Sequence, residues 1–145
     1  MSSALSQICL AVVVFAPFAG CNSEGYGLAP ISGVVTLDGN PVPGALVNFQ
    51  PTAKDGTNPG PGSTGRCDEA GRYVLKTIRD EPGAVVGTHR VRIYSYSPES
   101  PVSQDDDAGL PKEQFPDRYN YGSKLTFDVE STGTETADFR LTVED

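Results

Sequence analysis

The sequence predicts an all-β fold, an antiparallel sandwich or barrel of six or seven short strands. Three observations point there. From residue 31 onward, apolar and polar residues alternate with period two in short runs, the pattern of half-buried strands. Turn residues separate the runs: glycine (16) and proline (12) are abundant and show no G-X-Y period. No stretch after the first twenty residues carries a 3.6-residue period of useful length.

Taken in order, residues 1–20 carry no charged side chain, and Ile8 to Ala19 (ICLAVVVFAPFA) is almost wholly apolar. Twelve helical residues reach about 18 Å, short of the roughly 20 residues a bilayer core needs. That is the length of a signal-peptide apolar region. Ordinary signal peptidase would meet Pro17 or Phe18 at its −3 position, where it prefers a small residue. Phe18-Ala19-Gly20-Cys21 resembles instead a lipobox, the processing site of bacterial lipoproteins. The resemblance implies cleavage before Cys21 and a diacylglycerol on its sulfur. Asn22 rather than Asp after the cysteine favours the outer over the inner membrane by the same analogy. The region before Ile8 lacks Lys and Arg, so the natural start is expected upstream of Met1. Residues 1–20 therefore read as a lipoprotein signal, 21–30 as a small polar tether, and 31–145 as one folded domain, enough chain to fold alone.

Of the three cysteines, Cys9 leaves with the signal and Cys21 is acylated. Cys67 is left without an intramolecular partner and reads as a small, half-buried strand residue.

The strands follow. In 31–37 (ISGVVTL), Ile31, Gly33, Val35 and Leu37 share a face, and Asp38-Gly39-Asn40-Pro41 signals a turn. In 45–50 (ALVNFQ), Ala45, Val47 and Phe49 point inward. In 72–77 (RYVLKT), Tyr73 and Leu75 point in, Arg72 and Lys76 out, and Tyr73 is expected to pack its ring in the core with its hydroxyl near a rim. In 88–96 (THRVRIYSY), Val91 and Ile93 point in. In 124–129 (KLTFDV) the inward set is Leu125, Phe127 and Val129, and in 137–143 (ADFRLTV) it is Ala137, Phe139, Leu141 and Val143. Two long loops interrupt them: the Gly/Pro-rich 51–62, and 97–117 with six acids and one base. A loop of the second length inside a small domain is functional or mobile.

The run Gly33-Val34-Val35-Thr36-Leu37-Asp38-Gly39-Asn40-Pro41-Val42-Pro43-Gly44-Ala45-Leu46-Val47-Asn48-Phe49 resembles the opening of carboxypeptidase regulatory-like domains. Asp68-Glu69-Ala70-Gly71-Arg72-Tyr73-Val74-Leu75 resembles their D-x-x-G-x-Y-x-L signature, and Gly87-Thr88-His89-Arg90-Val91-Arg92-Ile93 a later element. Arg118-Tyr119-Asn120 and Leu125-Thr126-Phe127-Asp128-Val129 are similar to the ending of small bacterial lipoproteins that carry this domain. The resemblance spans about residues 31–143. It implies a seven-stranded antiparallel β-sandwich of transthyretin-like or Ig-like type in a cell-envelope module without catalytic activity or cofactor.

Composition narrows the chemistry. The formal net charge of −8 disfavours a nucleic-acid partner. One histidine excludes sites built on two, including the hydrolases and iron dioxygenases known on related sandwiches. That histidine, His89, reads as a rim residue beside the core, without an orienting partner for catalysis. Asp105, Asp106 and Asp107 are the only metal candidates, and three adjacent acids in a loop do not converge on one Ca²⁺. They read as a solvated acidic loop. The one candidate binding surface is the face opposite Val91 and Ile93, where alternation lines up Arg90, Arg92, Tyr94 and Tyr96. Arg and Tyr make large amphipathic contacts. The expected function is a non-catalytic envelope lipoprotein, held to the membrane through the lipid on Cys21, with a structural or protein-contact role. The alternative is a module binding carbohydrate or another anionic polymer on the Arg/Tyr face, and a small hydrolase is a minor third.

Overall fold

The computed structural model describes residues 26–53, 58–96 and 113–144. They form eleven strands: β1 (Leu28–Ala29), β2 (Ser32–Leu37), β3 (Asn40–Pro41), β4 (Leu46–Pro51), β5 (Ser63–Arg66), β6 (Arg72–Val74), β7 (Lys76–Thr77), β8 (Ala84–Val85), β9 (Gly87–Tyr94), β10 (Thr126–Val129) and β11 (Phe139–Leu141). One 3-10 turn, Asp117–Tyr119, is the only helical element among the described residues. The fold is all-β with open sheets, an arrangement consistent with a β-sandwich.

Five strands pair in the order β10-β9-β4-β5-β7, and a second sheet is built on β2, which pairs with β11, β3 and β6. The short β1 pairs with β8. Among the described strands all pairings are antiparallel except β11 on β2, which is parallel, Phe139 lying opposite Val35, and the bridge from Ile31 to Thr134 ahead of it is parallel too. This corrects the purely antiparallel expectation. Period-two alternation is the same for either direction, so direction is decided by where the connection from β10 delivers the chain.

Local chemistry explains the turns. Asp38 (φ 48°) and Gly39 (φ 83°) are both left-handed, with Leu37 opposite Asn40. This is a two-residue I′ hairpin, whose twist matches the strands it joins. At the second turn, the Asp68 side chain accepts hydrogen bonds from the Ala70 and Arg72 amides, both 2.9 Å. Gly71 there has φ 72°.

The run 72–77 is not one strand. Arg72–Val74 pairs with β2 and Lys76–Thr77 with β5. Between them the Leu75 amide donates to the Ile31 carbonyl at 2.9 Å, so the chain crosses from one sheet to the other there.

The inward faces of both sheets share one core. Val35 from β2 and Val47, Phe49, Val91 and Ile93 from β4 and β9 are fully buried, with Ala45 and Leu75. Phe49 lies 5.5 Å from Phe127 and 6.1 Å from Phe139, ring to ring, which joins the two layers. Full burial of each Val, Ile, Leu or Phe among them contributes about 1.5–3 kcal/mol.

Four expectations change in detail. His89 is completely buried rather than at a rim, because its ring packs on Phe49 at 5.6 Å. The Tyr73 hydroxyl is also buried, bonded to the Ala137 carbonyl. Val143 is exposed, since β11 ends at Leu141. Leu28–Ala29, expected in the tether, is a strand with Ala29 buried against β8.

Candidate functional site

β9 positions the candidate side chains by alternation. His89, Val91 and Ile93 enter the core, while Arg90, Arg92 and Tyr94 face outward. The register adds neighbours that strand-by-strand reading missed. Arg92 lies opposite Asn48, Asn48 opposite Thr64, and Thr64 opposite Lys76. These four residues form one row across β9, β4, β5 and β7. At about 4.8 Å between strands, the row spans roughly 14 Å. A parallel row runs Tyr94, Leu46, Arg66. Part of this surface is a shallow depression of about 670 Å³ whose lining includes Leu46, Asn48, Thr64, Arg66, Lys76, Asp80 and the exposed Val74 and Ile78.

Four cations, Arg66, Lys76, Arg90 and Arg92, therefore share a face on a chain whose net charge is −8. Lys76 is bonded to Asp80 at 3.0 Å, both partners exposed, a contact worth at most about 1 kcal/mol. Among the described residues Arg66, Arg90 and Arg92 make no ion pair.

At one end of the face stands a group of tyrosines. Tyr94 and Tyr121 meet edge to face, centroids 5.6 Å apart at 76°, and Tyr96 follows at the end of β9. Burial raises the Tyr94 pKa, opposed by Arg92 and reinforced by Tyr121 and Glu113. Burial and then Tyr121 raise that of Tyr96. Both phenols thus stay protonated and able to donate.

Tyr121 reaches this place through the segment before it. The Glu113 carboxylate accepts from the Ser95 amide (3.0 and 3.2 Å) and the Phe115 amide (2.8 Å), fixing the segment to the end of β9. Phe115 is buried in the core. Asn120, fully buried, donates to the carbonyls of Phe115 (3.2 Å) and Pro116 (3.4 Å) and accepts from the Tyr121 amide (2.7 Å). Arg118 donates to the carbonyls of Thr142, Val143 and Glu144. The Arg-Tyr-Asn motif is thus a clasp: Arg118 holds the C-terminal segment, and Asn120 sets the turn that presents Tyr121.

The other candidates are enclosed or lie elsewhere. His89 Nε2 is 2.7 Å from the Val85 carbonyl. A carbonyl only accepts, so Nε2 carries the proton and Nδ1 is left without a hydrogen-bond partner. Burial lowers the imidazole pKa, partly offset by the Val85 and Phe49 backbone. Burial, and then Asp68, push the Cys67 thiol up to about 11, leaving almost no thiolate at neutral pH. Among the described residues no three His, Cys, Asp or Glu side chains gather as metal ligands. Cys21, the signal segment and the Asp105, Asp106, Asp107 triplet lie outside the described residues.

Among the residues of the face, Lys76 reads as outward in sequence, whereas Arg66 lies on β5, a strand the alternation did not reveal; only strand order joins the two to Arg92. Tyr121 had no periodic signal at all, because a buried asparagine in a turn places it. In comparisons with known proteins, no family model, curated protein or solved structure matches the chain.

Proposed function

We propose that this chain is a lipid-anchored cell-envelope protein whose folded part is a carboxypeptidase regulatory-like, seven-stranded transthyretin-like sandwich, and that it is a binding module rather than an enzyme. The observation that carries the binding role is the outer face of the five-stranded sheet. Cations without carboxylate partners among the described residues stand there beside a tyrosine group on a chain of net charge −8. Exposed Arg and Tyr side chains are the usual anchors of protein surfaces that bind. The family reading is supported by the I′ hairpin at Asp38-Gly39 and by the Asp68–Gly71 turn, each at a motif that carries the resemblance. The anchor reading rests on the Phe18–Cys21 lipobox.

Two experiments test the proposal. Fatty-acid labelling with membrane fractionation should show label and membrane association on the wild type and neither on Cys21→Ala; soluble, unlabelled wild type overturns the anchor. A photo-crosslinking residue placed at position 90 or 121 should give envelope adducts, and one at position 140, exposed on β11 in the other sheet, should not. Adducts from 140 alone, or from none of the three, overturn the binding face.

A further inference from the structure

We infer that the ligand of this face is an acidic polysaccharide, a chain of carboxylated pyranose rings lying across the strands. The inference rests on the binding face proposed above and names its partner.

The row Arg92, Asn48, Thr64, Lys76 puts cationic groups at its two ends and an amide and a hydroxyl between them. A ligand that follows it meets two charge contacts separated by two neutral hydrogen-bonding groups, the one at Lys76 replacing that residue's weak, exposed pairing with Asp80. Pyranose carboxylates present that mixture, spaced charges with hydroxyls in between. A densely charged polyanion would leave Asn48 and Thr64 facing charge they do not neutralise. The tyrosines add the second feature. Tyr121 is 69% exposed and is braced edge-to-face by Tyr94, so it is an aromatic surface held in place with little rotamer freedom left to lose on binding. A ring-shaped ligand uses such a surface, whereas a carboxylate alone gains nothing from it.

An acidic peptide fits less well. Extended peptides are captured chiefly by the free edge of a sheet through backbone hydrogen bonds. Here the candidate residues sit mainly on β9, β4 and β5, interior to the sheet between β10 and β7, where the backbone groups are already paired. Only side chains are offered.

The test compares three probes on the full chain by titration calorimetry at low and moderate salt. Polygalacturonate carries rings and charge, poly-L-glutamate carries charge without rings, and dextran carries rings without charge. The expected result is binding of polygalacturonate, weakened by salt, with the other two at least roughly tenfold weaker. Tyr121→Ala and Arg92→Gln should each lower polygalacturonate affinity roughly 3- to 10-fold, with unchanged thermal melts showing that the fold is intact. Equal binding of poly-L-glutamate, or indifference of polygalacturonate to Tyr121→Ala, overturns the inference in favour of an acidic protein. If no probe binds but photo-crosslinks from positions 90 and 121 persist, the polysaccharide is wrong and the binding face stands. If those crosslinks also vanish, both fall.

Discussion

The Tyr73 hydroxyl donates a 2.6 Å hydrogen bond to the carbonyl of Ala137, and both residues are buried. Ala137 in turn donates its amide to the Ser32 carbonyl on β2 at 3.0 Å. The phenol therefore fastens the approach to β11, 64 residues away in sequence, onto the sheet that receives it. Burial pushes the Tyr73 pKa far up, with Cys67 and Asp138 adding to the effect, so the phenol stays a donor throughout the physiological range. Tyr73→Phe keeps the ring and strands a buried carbonyl lone pair. The expected cost is about 1–3 kcal/mol, read as a lower urea midpoint with an unchanged slope. An unchanged midpoint would mean that water replaces the hydroxyl.

Two glycines with left-handed backbones separate conformational strain from steric clash. A Cβ at Gly39 (φ 83°) meets nothing within 4 Å, whereas one at Gly71 (φ 72°) lies 2.6 Å from the Val35 carbonyl oxygen. Gly39→Ala should cost only the left-handed penalty, about 1–2 kcal/mol. Gly71→Ala should cost that plus a forced shift of β2, which carries Val35 into the core, and so should exceed Gly39→Ala by about 1 kcal/mol or more. Chemical denaturation of the pair decides it: equal losses would show that the second turn moves freely.

What was legible in sequence was what alternation encodes. Ala45, Val47 and Phe49, Tyr73 and Leu75, and Val91 and Ile93 all enter the core as their parity indicates, because the inward-outward period of a strand is local. What depends on the partner was not legible. The parallel seating of β11, the crossing at Leu75 and the full burial of His89 follow from which strand lies alongside or above. The same division runs through the candidate site. Arg90, Arg92 and Tyr94 share one strand and could be grouped from spacing alone. Arg66 and Lys76 join them only through the β4-β5-β7 order. Tyr96 shares their parity but lies beyond the end of the strand, where the backbone has left the ladder.

His89 makes stability depend on pH in a definite direction. Its ring is fully buried with Nδ1 unpartnered, and burial holds its pKa below the ordinary value of 6.5. The unfolded chain therefore takes up a proton more readily than the folded one as pH falls through 6.5. The contribution of neutral His89 is complete above that value and is lost below it, down to the lowered folded pKa. The melting temperature should fall between pH 7 and pH 5. His89→Leu, which removes the titration and the unpartnered nitrogen, should flatten that part of the profile. A slope that survives the substitution would assign it to carboxylates instead.

Glu113 is a positioning residue for Tyr121. Its carboxylate takes the Ser95 and Phe115 amides together, and hydrogen bonds to a charged acceptor contribute about 1.5–3 kcal/mol. Gln114 adds a 2.9 Å bond from its amide to the Ser95 hydroxyl, so the segment is fastened on two consecutive residues. Glu113→Ala removes the stronger fastening while leaving Asn120 to shape the turn. The turn should persist but no longer be held at the end of β9. The expected signature is loss of the nuclear Overhauser contacts between the Tyr94 and Tyr121 rings, with those between Phe49 and Phe127 in the core retained. Glu113→Gln keeps one acceptor oxygen and should retain part of the Tyr94 contact. Persistence of the full Tyr94–Tyr121 contact in Glu113→Ala would show that the buried Phe115 anchors the segment by itself.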